Sequence, residues 1–182
     1  MSDAWARLGS LSRPPAENKP LHLRQAEWLQ KCLASAQDTE FGRRHGFQHI
    51  DTPQAYQEAV PLHTYNDLRP WLERVAKGVP DLLFDGLPVA FECTAGSLGG
   101  AKLIPYSREG LKDFKNALRP WLAQTITQHG IQEGSCYWVT SPALRRPGEI
   151  LPGIPLGLPD AAYLGEDLHL ELGRISDRKS VV

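Results

Sequence analysis

Apolar side chains along this chain recur first at helical spacing and later at strand spacing, with the change near residue 80. Leu23, Ala26, Leu29 and Leu33 return at three- and four-residue steps with Trp28 beside them, a pattern that predicts an amphipathic helix. Gly42 and Gly46 then break that spacing. Thr52-Pro53 reads as a cap and first-turn proline of a short helix ending before Pro61. Thr64 reads as the next cap, with Asp67 placed to meet the positive end of the helix dipole. Leu68, Trp71, Leu72 and Val75 form the apolar stripe of that helix despite Pro70, and Gly78 is its expected stop.

Beyond residue 80, Val89 to Thr94 is short, apolar and closely followed by glycine, as in a buried strand. Lys102 to Tyr106 is a second extended run. Ser107 is placed to cap a helix over Arg108 to His129, with Leu111, Phe114, Leu118, Leu122 and Ile126 on one face. Pro120 deletes one of its backbone bonds and is expected to kink it, and Gly130 ends it. Trp71 and Trp121 are expected in the core. Tyr137 to Thr140 is a further strand candidate, and the proline- and glycine-rich residues 141–160 read as a structured loop. Leu164, Leu168, Leu172 and Ile175 open one more amphipathic helix.

A helical N-terminal region followed by strands alternating with helices predicts an α/β fold. The expected organisation is a flexible arm over residues 1–22, a domain over 23–175, and an atypical polar tail over 176–182, where the apolar period is lost.

Composition narrows the function classes. A chain of 182 residues is one domain or a piece of a larger one. A net charge of −1 gives no general attraction to nucleic acid or to an anionic membrane. No apolar run approaches the roughly 20 residues that span a bilayer, and the opening MSDAWARLGSLSRPP lacks the pattern of a secretory signal. The 3 cysteines, Cys32, Cys93 and Cys136, form neither a CxxC pair nor a disulfide framework, so a reduced, cytoplasmic setting is expected. Cys93, in a strand, reads as a small buried hydrophobe. The 6 histidines show no metal-binding spacing, and no metal site is expected; His45 reads as structural or loop-exposed and not catalytic.

The candidate chemistry lies in Thr94-Ala-Gly-Ser-Leu-Gly-Gly-Ala-Lys102. Gly96, Gly99 and Gly100 let the backbone turn sharply and let an anion approach its N–H groups. Thr94 and Ser97 add hydroxyl donors and Lys102 a positive charge. Hydrogen bonds to a charged group contribute about 1.5–3 kcal/mol each, so three or four would hold a triphosphate tail. The segment lacks the Gly-Lys-Ser/Thr of the common P-loop, since Leu103 follows Lys102, and it does not match GxGxxG. On composition alone, a glycine-rich hairpin without a ligand stays open beside the phosphate reading.

The chain resembles the auxin-responsive acyl-acid amido synthetases, the Gretchen Hagen three family of acyl-adenylating enzymes, from about residue 25 to 173. Four signatures carry the resemblance: Thr39-Glu-Phe-Gly-Arg-Arg-His-Gly-Phe47; Val60-Pro-Leu-His-Thr-Tyr65 with Pro70-Trp-Leu-Glu-Arg74; the glycine-rich loop with Ile104-Pro-Tyr-Ser107; and Tyr137-Trp-Val-Thr-Ser-Pro142 with Gly153-Ile-Pro-Leu-Gly157 and Tyr163-Leu-Gly165. The resemblance implies binding of ATP and a carboxylic acid, formation of an acyl-adenylate with magnesium, and transfer of the acyl group to an amine, usually an amino acid's. It implies that Thr94, Gly96, Ser97, Gly99, Gly100 and Lys102 hold phosphates, and it assigns no catalytic residue.

Ala95 and Leu98 depart from the family's hydroxyl residues. The family continues well beyond the length of this chain, and its magnesium-binding acid and most of its acyl pocket lie in that further part. The chain is therefore expected to be an N-terminal segment, inactive alone, with a frameshift or premature stop as an explanation of the tail. The alternative is a non-catalytic remnant with at most weak phosphate binding. Neither the substrates nor the oligomeric state follow from the sequence.

Overall fold

The computed structural model describes residues 2–10, 19–94, 102–136, 148–158 and 160–175. These pack as two units, one formed by residues 1–16, 108–148 and 156–182 and the other by 17–107 and 149–155. The strand candidate Tyr137 to Thr140 and the tail 176–182 lie outside the described residues.

The first unit is helical. It comprises α1 (Ser2–Ser10), α6 (Arg108–Gln128), α7 (Asp160–Leu164) and α8 (Glu166–Ile175). Its core joins Trp5 and Leu8 of α1 to Leu122 and Ile126 of α6, Leu164 of α7, and Leu168, Leu172 and Ile175 of α8. Residues 2–10 are thus not the loose arm that the composition suggested. Trp5 and Leu8 sit three residues apart on one helical face, and both are buried. The Trp5 indole N–H donates to the Gly134 carbonyl at 3.3 Å, and Arg7 pairs with Glu171 of α8 at 3.3 Å. Two helices distant in sequence supply the burial that a nine-residue helix lacks in isolation.

Helix α6 runs through Pro120 as one element, and Gly130, at φ 59°, follows its end. Leu122, Ala123 and Ile126 are its buried residues. Trp121 is instead 55% exposed, because it lies about 100° around the helix from Leu122, away from the packed face. Gly165, at φ 85°, separates α7 from α8, so the expected helix from Leu164 is divided there.

The second unit begins with α2 (Leu21–Ala36), α3 (Glu40–Arg44), a 3-10 turn (Phe47–His49), α4 (Pro53–Ala59) and α5 (Tyr65–Val75). Gly42, expected to break helical structure, lies inside α3. Thr39 caps that helix, and its hydroxyl oxygen accepts the Gly42 N–H at 2.9 Å and donates to the Ala36 carbonyl at 2.7 Å. Thr52 caps α4 through the Ala55 N–H at 3.1 Å. Thr64 and Asp67 form the reciprocal bonds of a capping box on α5.

Phe41 centres an aromatic group, with ring centroids at 4.4 Å from His45, 5.5 Å from His63 and 5.5 Å from Trp71. The guanidiniums of Arg44 and Arg74 lie over Trp71 at 5.9 and 5.7 Å. His45, whose Nδ1 lies 3.1 Å from the Ala59 carbonyl oxygen, takes a structural place here.

The strands are β1 (Ala90–Cys93), β2 (Leu103–Tyr106), β3 (Gly148–Leu151) and β4 (Ile154–Leu156), in the order β2-β1-β4-β3. The last two correct the loop expected over residues 141–160. Pro152 and Gly153 connect them, and Gly153 takes φ 78°, the value a type II turn demands at its third position.

Candidate functional site

The stretch that offers a glycine-rich loop is framed by the antiparallel pair β1–β2, in the register Ala90↔Tyr106, Phe91↔Pro105, Glu92↔Ile104 and Cys93↔Leu103. Ala90 and Phe91 are buried and fix the base of the hairpin, and burial fades toward the loop. Cys93 is exposed, which corrects its expected burial: the strand leaves the packed region one residue before the loop.

Thr94 and Lys102 close the hairpin at the mouth of the loop. The Thr94 N–H donates to the Lys102 carbonyl at 2.9 Å, and the Lys102 N–H donates to the Thr94 hydroxyl oxygen at 3.0 Å. A hydroxyl that accepts one bond keeps its own proton to donate. The Lys102 ammonium lies 5.3 Å from the centre of the Tyr65 ring, on its face. Both residues are exposed. Gly96, Ser97, Gly99 and Gly100, with Ala95 and Leu98, lie outside the described residues, as do Ser141 and Pro142 of the fourth signature.

Tyr65 is the neighbour that sequence reasoning did not join to the loop. Its hydroxyl accepts the Leu103 N–H at 2.9 Å and lies 3.4 Å from the Leu103 carbonyl oxygen. The available signal was its presence in the second signature, immediately after the helix cap Thr64. Further down the strands, burial and then the charge of Glu92 hold the Tyr106 phenol above its ordinary value.

The donor set has a definite chemical character. Hydroxyls and an ammonium are suited to an anion such as phosphate. Magnesium takes hard oxygen ligands, usually carboxylates and water, and neither Thr94 nor Lys102 supplies a carboxylate. The described part of the site thus fits a phosphate and does not by itself fit the metal.

Residues 18–147 match the model of the GH3 family N-terminal domain. The indole-3-acetic acid-amido synthetase GH3.15 of Arabidopsis thaliana is 32% identical over 120 residues, which are 62% of this chain and 20% of that protein. The jasmonoyl–L-amino acid synthetase JAR6 of Nicotiana attenuata is 31% identical over 87 residues, 47% of this chain and 15% of that one. The matched stretches therefore span a fifth or less of the length of these relatives. The solved structure of the GH3.15 acyl acid amido synthetase superposes with a TM-score of 0.61 at 22% identity, over 97% of this chain and 29% of that one. A second structure, AtGH3.15 in complex with 2,4-DB, gives a TM-score of 0.58 at 24% identity over 86% of this chain and 26% of that one. At such identities the likeness is one of fold, and it bears out the α/β expectation.

Proposed function

Because the chain belongs to the GH3 family, that of the acyl acid amido synthetases, and corresponds to part of its N-terminal region, we propose that its 94–102 loop holds the phosphates of ATP during carboxylate activation. Thr94, Gly96, Ser97, Gly99, Gly100 and Lys102 are the residues proposed to hold them. The observation that carries this reading is the paired mouth of the loop, where Thr94 and Lys102 are joined by two hydrogen bonds with the ammonium exposed beside them.

A bound ATP supplies an electrophilic α-phosphorus and a pyrophosphate leaving group. The task of this chain's residues is binding and orientation. Backbone N–H groups and hydroxyls take phosphate oxygens, and Lys102 neutralises charge. The six loop residues include no carboxylate for magnesium, and their proposed role is that of a phosphate holder in a chain inactive by itself. In the whole enzyme this phosphate holder would serve the joining of a carboxylic acid to an amino acid, with magnesium.

Calorimetric titration of the 182-residue chain with ATP, followed by ATP–pyrophosphate exchange with a panel of acids, tests the reading. Binding without exchange is expected. Exchange by the chain alone refutes its proposed inactivity, and failure to bind ATP refutes the phosphate role.

A further inference from the structure

We propose that Tyr65 is the positioning residue of the 94–102 loop: its hydroxyl fixes the returning strand at Leu103 and its ring presets the Lys102 ammonium. This deepens the phosphate reading and rests on it.

Hairpin geometry explains why Leu103 needs a partner. The Thr94 N–H reaches the Lys102 carbonyl, so residues 94 and 102 form a hydrogen-bonded pair. Bonded and non-bonded pairs alternate in an antiparallel ladder. The next pair, Cys93 and Leu103, is therefore non-bonded, and the Leu103 N–H and C=O are directed away from β1. In the described sheet β2 is the outer strand, so no further strand meets them there. The next position of the same orientation is Pro105, which carries no N–H to satisfy. Leu103 thus holds the outward N–H of β2, and the Tyr65 hydroxyl accepts it at 2.9 Å.

Tyr65 is itself held firmly. It is the first residue of α5, directly after Thr64, whose backbone N–H and hydroxyl both reach the Asp67 carboxylate at 2.7 Å. A helix start locked by its capping box carries the phenol to the exit of the loop. Lys102 is the residue immediately before Leu103, and its ammonium lies over the ring of the same Tyr65. One side chain therefore restrains both the backbone and the charge at the loop's exit.

A lysine left free samples many rotamers, and binding must order them. A lysine already placed loses less on binding, which is the advantage of preorganisation. A polyphosphate entering the loop would meet a cation already set at its mouth.

The test uses the full chain with inorganic triphosphate as the probe, in the wild type, Tyr65→Phe and Tyr65→Leu. Amide exchange at Leu103, the ring-current shift of the Lys102 Hε protons and the triphosphate Kd are measured where circular dichroism shows each protein folded. In Tyr65→Phe, Leu103 exchange should rise and Kd weaken, each by about tenfold, the effect of one ordinary hydrogen bond, while the Lys102 shift persists. In Tyr65→Leu the shift should also vanish and Kd weaken further. Wild-type Kd in both variants overturns the proposal, as does unchanged Leu103 exchange in Tyr65→Phe. A wild type that binds no triphosphate, with Leu103 exchange still accelerated in Tyr65→Phe, refutes the phosphate reading itself and leaves Tyr65 as a strand clamp only, which also overturns the positioning role.

Discussion

Replacing Gly42 by alanine should be among the most damaging single-methyl changes in this protein. A Cβ at Gly42 would lie 2.0 Å from the Ala36 carbonyl oxygen, 2.9 Å from its carbon and 3.1 Å from the Gln37 Cα. Real Cβ atoms essentially never approach a neighbour below 3.0 Å, and these neighbours are backbone atoms that no side-chain rotation can move. The Ala36 carbonyl would have to retreat by about 1 Å, the difference between those two distances. That carbonyl accepts both the Thr39 N–H at 3.1 Å and the Thr39 hydroxyl at 2.7 Å. The same hydroxyl oxygen caps α3 through the Gly42 N–H, and Thr39 is buried at 2% exposure. Disturbing three bonds around one buried polar side chain should cost about 3–9 kcal/mol, at about 1–3 kcal/mol for each group left unsatisfied. That is a large share of the roughly 5–15 kcal/mol by which a domain is stable.

Gly46, four residues on, is the internal comparison. It takes φ 65°, and a Cβ there would have nothing within 4 Å, so alanine meets only left-handed backbone strain of about 1–2 kcal/mol. Urea unfolding of the wild type, Gly42→Ala and Gly46→Ala, followed by circular dichroism, compares the two. If Gly42→Ala proves no less stable than Gly46→Ala, the corner between α2 and α3 is not packed as described and the argument fails.

Leu168 is fully buried in the helical unit, and Leu168→Ala should lower stability by about 2–5 kcal/mol in the same assay. Acid should weaken the helical corner through Glu40. The Arg74 hydrogen bonds, foremost, hold its carboxyl below the usual value of 4.5. Its contribution is therefore complete above that value and is lost as pH falls through the lower folded one. Glu40→Gln should flatten that acid limb of the urea midpoint, and an unchanged limb would exclude the pair as its source. Native thiol titration should label the exposed Cys93 before Cys136, whose thiol burial pushes up. Equal rates would contradict the described end of β1.

Features governed by neighbouring residues were legible in the sequence. Thr64 with Asp67, Thr52 with Pro53, and the glycines after α5 and α6 marked helix ends correctly, because a cap or a stop is decided within a few residues by backbone groups that need partners. The two strands around the loop were also readable, since a short apolar run needs no distant information. The family was legible too, through four signatures in order, and residues 18–147 match its N-terminal domain.

Only the tertiary structure decided which of these pieces meet. Trp5 and Leu8 entered a core because α6 and α8, distant in sequence, cover them, while Trp121 stayed outside because the packed face of α6 turns away from it. Composition could not distinguish the two cases, as burial depends on what lies opposite a face. Cys93 became exposed for a similar reason: a strand pattern fixes alternation but not where the packing ends. At the candidate site, the sequence named the donors Thr94 and Lys102. That Tyr65 reaches Leu103 and stands under Lys102 followed from a contact across 38 positions, set by chain folding and not by any local rule.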